Sequence, residues 1–280
     1  MSTLSHVTSA VLQEPWLIHE PRLNAIAEIV ESHQAGKPAP KIERAKDDAP
    51  WTQSGISFIP VFGTIAPKMG LMENLSGGTS IADLRNHFND ALQDTETKTV
   101  AFLFDTPGGS AKGGFEFADE INAMRERTPK NIIAHIEGDC CSLGYLLASQ
   151  CDSISMTVGS QAGSIGVVSK FTSRERQQKN EGIESTVIRS SPLKAIGADA
   201  LTGDQMAHLQ ARIQSMSMMF QSYVGRNRNV DFSARDMAGV FPAVSNSDAL
   251  PTALQLGLVD KVATRDQIIS TYGKKVFDKM

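Results

Sequence analysis

Three apolar runs between Val100 and Val168, each ending in glycine and small polar residues, restrict what this chain can fold into more than anything else in it. The first, VAFLFDTPGG, joins a β-branched and aromatic run to a turn at Pro107, Gly108 and Gly109. GGFEFADEINAMRER then places Phe115, Ala118, Ile121 and Met124 at helical spacing. The second, IIAHIEGDCCSLGYLLAS, predicts a strand from Ile132 to Glu137, a polar break, and an apolar segment opening at Ser142. The third, SISMTVGSQAGSIGVV, predicts another short strand and two turns of small residues. Strand runs alternating with helical runs are the pattern of a layered α/β fold with parallel strands, whose strand-end loops gather on one rim. A serine on such a rim is a candidate nucleophile.

The flanking sequence extends this pattern. ISFIPVFGTIAP reads as a strand ending at a glycine turn, and TSIADLRNHFNDALQD as a helix with Ile81, Leu84, Phe88 and Leu92 inward and Thr79 or Ser80 as its cap. Further on, FTSRERQQKNEGIESTVIRS predicts a charged helix followed by a strand. Thr202 with Gln205 forms a capping-box pattern ahead of a stripe of Met206, Leu209, Ile213, Met216, Phe220 and Tyr223. DFSARDMAG predicts a short helix, ALPTALQLGLVDKVA a helix closed by Gly257 before a brief strand, and RDQIISTYGKKVFDKM a terminal helix. The start of the chain is less core-like. Leu23, Ile26, Ile29 and Val30 share one helical face, and AGKPAPKIERAKDDAPWTQSG after them has the composition of an exposed connector. The expected division is an N-terminal helical arm with its connector over residues 1–54 and a catalytic domain over 55–280.

Charge and cysteine content narrow the function classes. A formal charge of -4 over 280 residues leaves no basic footprint for nucleic acid. The three cysteines, Cys140, Cys141 and Cys151, have no spacing for a metal, and adjacent Cys140 and Cys141 would make a strained bridge; they read as buried thiols of a reducing compartment. No run is long and apolar enough to span a bilayer, so the expectation is a cytoplasmic protein with no metal and no cofactor.

A serine hydroxyl needs a base and an oxyanion site to act as a nucleophile near neutrality. His87 and His208 sit in helical patterns, His135 inside a strand, and His6, His19 and His33 near the N-terminus, none of them on the glycine-rich rim. The other option is a lysine whose ammonium is desolvated. Lys194, in the nearly uncharged SSPLKAIG, is the candidate, and the residues alone leave the choice of base open.

FDTPGGS, CCSLGYLLASQCDSI, GSQAGSIGVV and SSPLKAIG, in that order, resemble the signatures of the signal peptide peptidase A (protease IV) family of serine peptidases, over roughly Ile56 to Val262. The resemblance implies the ClpP/crotonase fold, a spiral of repeated strand-strand-helix units with a parallel sheet and flanking helices. It implies a Ser142/Lys194 dyad, an oxyanion site from the backbone of Gly108, Gly109 and Leu143, and a substrate cleft walled by Gly163, Ser164 and Gly166. It further implies an extended polypeptide substrate, a homo-oligomer, and, for a single short copy, the phage capsid maturation type, acting on capsid or scaffold proteins and associated with the prohead. Two departures stand out. Cys140 and Cys141 precede the serine and Leu143 follows it where the family has small residues and glycine, and Ser191, Pro192 and Ala195 surround Lys194. Two other readings share the fold: an assembly or scaffold protein without activity, and a crotonase-type acyl-coenzyme-A enzyme, against which the SSPLKAIG loop argues.

Overall fold

The computed structural model describes residues 15–34, 49–68, 78–171, 175–182, 184, 186, 188–194, 196 and 201–273. Twelve strands are present in them: β1 Trp16–Ile18, β2 Trp51–Gln53, β3 Ile56–Phe62, β4 Thr64–Ala66, β5 Gly78–Ser80, β6 Thr99–Thr106, β7 Gly108–Ser110, β8 Asn131–Cys141, β9 Ser153–Met156, β10 Gln161–Gly163, β11 Val240–Pro242 and β12 Lys261–Val262. The helices are α1 Glu20–Gln34, α2 Ile81–Gln93, α3 Gly114–Arg127, α4 Leu143–Ala148, α5 Glu175–Asn180, α6 Gly203–Gly225 and α7 Arg265–Tyr272.

The larger sheet runs β11-β10-β8-β6-β3-β2, with β9 and β12 attached through β8. Its centre, β3, β6, β8 and β10, is parallel, and the edge strands β2 and β11 are antiparallel, so the sheet is mixed. Alternation along the central strands sorts their side chains onto two faces. Val100, Phe102 and Phe104 of β6 face the core that includes Leu84 and Phe88 of α2 and Phe117 and Ile121 of α3. Ala101 and Leu103 face the opposite side, with Phe58, Ile133 and Ile268 of α7. The rings of Phe88, Phe102 and Phe117 meet at centroid separations of 5.4 to 6.3 Å, two of the three contacts edge-on.

The expected strand, turn and helix alternation is present, and several boundaries differ from expectation. The second strand does not break after Glu137: β8 continues to Cys141 and delivers Ser142 directly. Its pairing with β6 shifts between Phe104 and Thr106, where the Asp105 carboxylate accepts the Asp139 N–H at 3.0 Å, so the polar residues bulge the strand without ending it. Ser80 caps α2, while the Thr79 hydroxyl donates to the Phe62 carbonyl and accepts the Phe62 N–H. The capping box of Thr202 and Gln205 forms, yet the stripe behind it is only partly covered: Phe220 and Val224 are buried and Met206 is exposed. DFSARDMAG and the stretch ahead of Gly257 are turns, not helices. Residues 35–48 of the expected connector, residues 274–280 of the expected terminal helix, and residues 183, 185, 187, 195 and 197–200 after α5 lie outside the described residues.

A second, four-stranded sheet of order β1-β7-β4-β5 stands at the end of β6. The start of the chain therefore reaches the main body: β1 is fully buried and pairs antiparallel with the glycine turn, Leu17 opposite Gly109 and Ile18 opposite Gly108.

Candidate active site

Ser142 lies where β8 becomes α4, with φ 52° and ψ -112°. A positive φ is costly for a residue with a Cβ and persists only when the surroundings enforce it. Here the Ser142 N–H donates to the Gly163 carbonyl at 2.8 Å and the Ser142 carbonyl accepts the Leu146 N–H of α4 at 2.9 Å. The Oγ donates to the Gly166 carbonyl at 3.3 Å, so the hydroxyl proton points at the GSIG segment. Ser142 is 0% exposed, so no external carbonyl reaches it in this arrangement.

The neighbouring thiols are poor nucleophiles by comparison. Burial pushes the Cys140 thiol well above its ordinary value and the Cys141 thiol up to about 12, the latter helped by the charges of Asp139 and Asp105. Both stay protonated at neutral pH. Tyr145, one helical turn on, is also buried, and its hydroxyl donates to the Leu258 carbonyl at 2.8 Å; it ties α4 to a segment 113 residues away.

The turn expected to hold the oxyanion lies beside Ser142. Gly108 has φ 101°, and a Cβ there would fall 2.2 Å from the Leu17 carbonyl oxygen and 3.0 Å from that of Cys141. At Gly109 a Cβ would fall 1.9 Å from the Ile65 carbonyl oxygen. Glycine is required at both places by the close approach of other backbone. The two amides have different partners. The Gly108 N–H donates to the Thr106 hydroxyl at 3.1 Å. The His19 N–H donates to the Pro107 carbonyl at 2.8 Å, and in an antiparallel ladder of this register the next bonded pair is Leu17 with Gly109, whose N–H therefore faces the Leu17 carbonyl.

On the other side, Gly163 pairs with Cys141, and Ser164, at φ 54°, donates its N–H to the Gly239 carbonyl at 2.7 Å. The segment continues to Val168, which exchanges both backbone hydrogen bonds with Trp16, at 2.8 and 2.9 Å. A cavity of about 390 Å³ opens next to these residues, lined among others by Ile18, His19, Ser164, Gly166, Val168 and Ala238.

Lys194 makes no hydrogen bond to Ser142 among the described residues. It is exposed, in a turn closed by its own N–H to the Ser191 carbonyl at 2.9 Å, and no hydrogen bond or ion pair of its ammonium is present among the described residues. The Pro192 carbonyl accepts from the Gln205 side chain at 2.6 Å, which pins this turn to the head of α6. The histidines are placed differently, and His19 lines the cavity beside Ser164 and Gly166. His135 is buried about 20 Å back along β8 with Nδ1 2.8 Å from the Ser155 hydroxyl, and His208 is exposed on α6. Sequence reasoning missed Thr106, whose hydroxyl also donates to the Gly63 carbonyl, and Trp16–His19. A threonine at a strand end and a three-residue strand carry no distinctive periodicity. Among the described residues no group of three or more His, Cys, Asp or Glu side chains could hold a metal ion, and no helix is long and apolar enough to cross a membrane.

Residues 124–276 match the family model of peptidase family S49, a span that includes Ser142 and Lys194. The head-tail preconnector protein GP5 of Enterobacteria phage P21 is 31% identical over 221 residues, 78% of this chain and 42% of that protein. Capsid assembly protease C of Escherichia phage lambda is 30% identical over 173 residues, 61% of this chain and 39% of that protein. The chain thus spans about two fifths of the length of these two relatives. Protease 4 of Haemophilus influenzae is 26% identical over 222 residues, 77% of this chain and 34% of that protein. Among solved structures, an enoyl-CoA hydratase/isomerase family protein from Silicibacter pomeroyi superimposes with a TM-score of 0.46 at 12% identity, over 81% of this chain and 80% of that one, a likeness too loose to carry an argument.

Proposed function

The chain belongs to peptidase family S49, and from that premise we propose that it is a serine endopeptidase, with Ser142 as nucleophile and Lys194 as general base, that cuts extended polypeptide. The observation that carries this reading is the strained Ser142, held at positive φ between the glycine turn and the GSIG segment while the thiols beside it are kept protonated. Lys194 takes the Oγ proton as Oγ attacks the peptide carbonyl carbon. The amides of Leu143 and of Gly109, the latter once it is released from the Leu17 carbonyl, donate to the developing oxyanion, while the Gly108 amide stays engaged by Thr106. The lysine then protonates the leaving amine, and a water deprotonated by the same lysine cleaves the acyl ester and frees Ser142. This chemistry requires the exposed turn carrying Lys194 to close over the rim once substrate binds. The likeness to two phage proteins, one called a capsid assembly protease, supports capsid or scaffold proteins as substrates in a prohead-associated setting; a homo-oligomer that confines cutting to flexible chains and the ClpP/crotonase spiral complete the proposal.

A second reading, an assembly protein that has lost cleavage, is favoured by the full burial of Ser142 and the exposure of Lys194. Cleavage of unfolded casein by wild type, Ser142→Ala, Lys194→Arg and Cys141→Ala separates the two. Wild type and Cys141→Ala should cut. Ser142→Ala and Lys194→Arg should lose roughly 10³-fold or more with unchanged circular dichroism, since a guanidinium cannot give up its proton near neutrality. A folded wild type that leaves casein intact establishes the second reading.

A further inference from the structure

We propose that the groove between the Pro107–Ser110 turn and Val168 is a binding site for an extended peptide bearing a large aliphatic residue, and that the chain's own strand Trp16–Ile18 fills it here in the position of substrate. The inference rests on the peptidase reading and names the ligand of that site. Strand addition to an open edge is a general way to hold a polypeptide, because the backbone supplies the hydrogen bonds and pockets for alternate side chains supply the selectivity.

Each requirement of such a ligand is met by β1. It is hydrogen-bonded on both edges and antiparallel on both: Trp16 exchanges two bonds with Val168, and His19 N–H and the Leu17 carbonyl engage Pro107 and Gly109. Leu17 thereby places a peptide carbonyl against one of the two amides assigned to the oxyanion. The same carbonyl lies against Gly108, where an added Cβ would also meet the Cys141 carbonyl, one residue before the proposed nucleophile. The Leu17 side chain is 0% exposed and belongs to the apolar core cluster, so its surroundings suit an aliphatic group and disfavour a charge. Ser142 itself is fully covered while the strand is in place. The cavity lined by His19, Ser164 and Gly166 continues the groove past the end of β1, giving room for the rest of a longer peptide.

A ligand on the same chain competes at a high effective concentration, so it raises KM for an external substrate and leaves kcat alone. The double variant Trp16→Cys/Val168→Cys tests this, because these residues form a directly opposed bonded pair at a spacing a disulfide can bridge. Reduced, the variant lacks the buried Trp16 indole, which weakens strand docking; compared with the single variant Val168→Cys, its KM for unfolded casein should fall about tenfold or more. Oxidised, with the bond verified by intact mass, it should lose cleavage and regain it on adding dithiothreitol. Equal cleavage by the oxidised and reduced forms, or a folded reduced form with a KM no lower than that of Val168→Cys, overturns the inference. Hydrogen exchange of Ser142→Ala saturated with unfolded casein gives a second reading that needs no change in β1. The Trp16 and His19 amides should lose protection, and their continued protection with casein bound overturns the inference as well. If wild type and reduced variant both leave casein uncut while folded, the peptidase reading itself fails and takes this inference with it.

Discussion

Replacing Gly109 by alanine isolates the contribution of the glycine turn, because the structure states what the added methyl would strike. It would lie 1.9 Å from the Ile65 carbonyl oxygen, 2.6 Å from its carbon and 2.8 Å from its Cα. All three are backbone atoms of β4, which cannot swing aside as a side chain can, so β7 must draw back by roughly 1.5 Å to restore an ordinary contact. Overpacking of this kind costs about 1–3 kcal/mol. In a chain of this size that is a fall in Tm of several degrees. A shift of about 1 Å in a group that orients the reaction can cost on the order of 100-fold in rate, and the Gly109 amide is one of two oxyanion donors in the mechanism. Gly109→Ala should therefore melt lower and cut casein on the order of 100-fold more slowly, with the loss in kcat. Gly159→Ala is the control, since a Cβ there meets nothing within 4 Å, and it should match wild type in both measurements. A Gly109→Ala protein with wild-type Tm and kcat would refute both the packing argument and the placement of the oxyanion at this turn.

Tyr145→Phe removes the hydroxyl that donates to the buried Leu258 carbonyl and leaves that acceptor unpaired; differential scanning calorimetry should show a loss of about 1–3 kcal/mol, with cleavage within about twofold of wild type. A large kcat defect at normal stability would instead make Tyr145 a participant in the reaction. Stability should also depend on pH at both ends of a melting series. Burial first, then the charges of Arg265 and Lys261, outweigh Glu137 and hold His135 below its ordinary 6.5. The unfolded chain therefore takes up a proton sooner as the pH falls, and stability present above 6.5 is lost towards the folded value. The Cys141 thiol, raised from 9.0 to about 12, gives the opposite limb: above pH 9 the unfolded chain ionises first and stability falls as pH rises. His135→Gln should flatten the acid limb between pH 6.5 and the folded value, and an unchanged limb there would contradict the assignment.

What could be read in the sequence was what repeats. Val100, Phe102 and Phe104 alternate with Ala101 and Leu103 because a central strand is buried on both faces, and Gly108 and Gly109 punctuate it because other backbone passes within a methyl's radius. Ser142 stood out because a small polar residue between an apolar strand and an apolar helix has few structural reasons to be there. The strand Trp16–Ile18 gave no such signal. Three residues are too few to display a period, and their partners on β7 are 90 or more residues away. The solvation of Lys194 was equally hidden, since a nearly uncharged loop reads as apolar whether it packs or projects.

Under the proposed chemistry, burial of Ser142, exposure of Lys194 and a strand in the groove are coherent with one another. A deprotonated lysine beside a serine hydroxyl is reactive towards any chain that reaches it, so keeping the pair apart until substrate binds limits indiscriminate cutting. Here three separations act together: Ser142 donates its proton to the Gly166 carbonyl, Lys194 is held in a turn pinned to Gln205, and the Gly109 amide faces Leu17. A substrate that displaces β1 supplies its own carbonyl to Gly109 and adds main-chain bonds to Val168, so the exchange conserves most of the hydrogen bonds it breaks. The net free energy then depends on side chains and on chain length beyond the groove, which short or folded peptides cannot supply. Under the proposed mechanism, selectivity for long unfolded chains with an aliphatic residue at the groove follows from that balance.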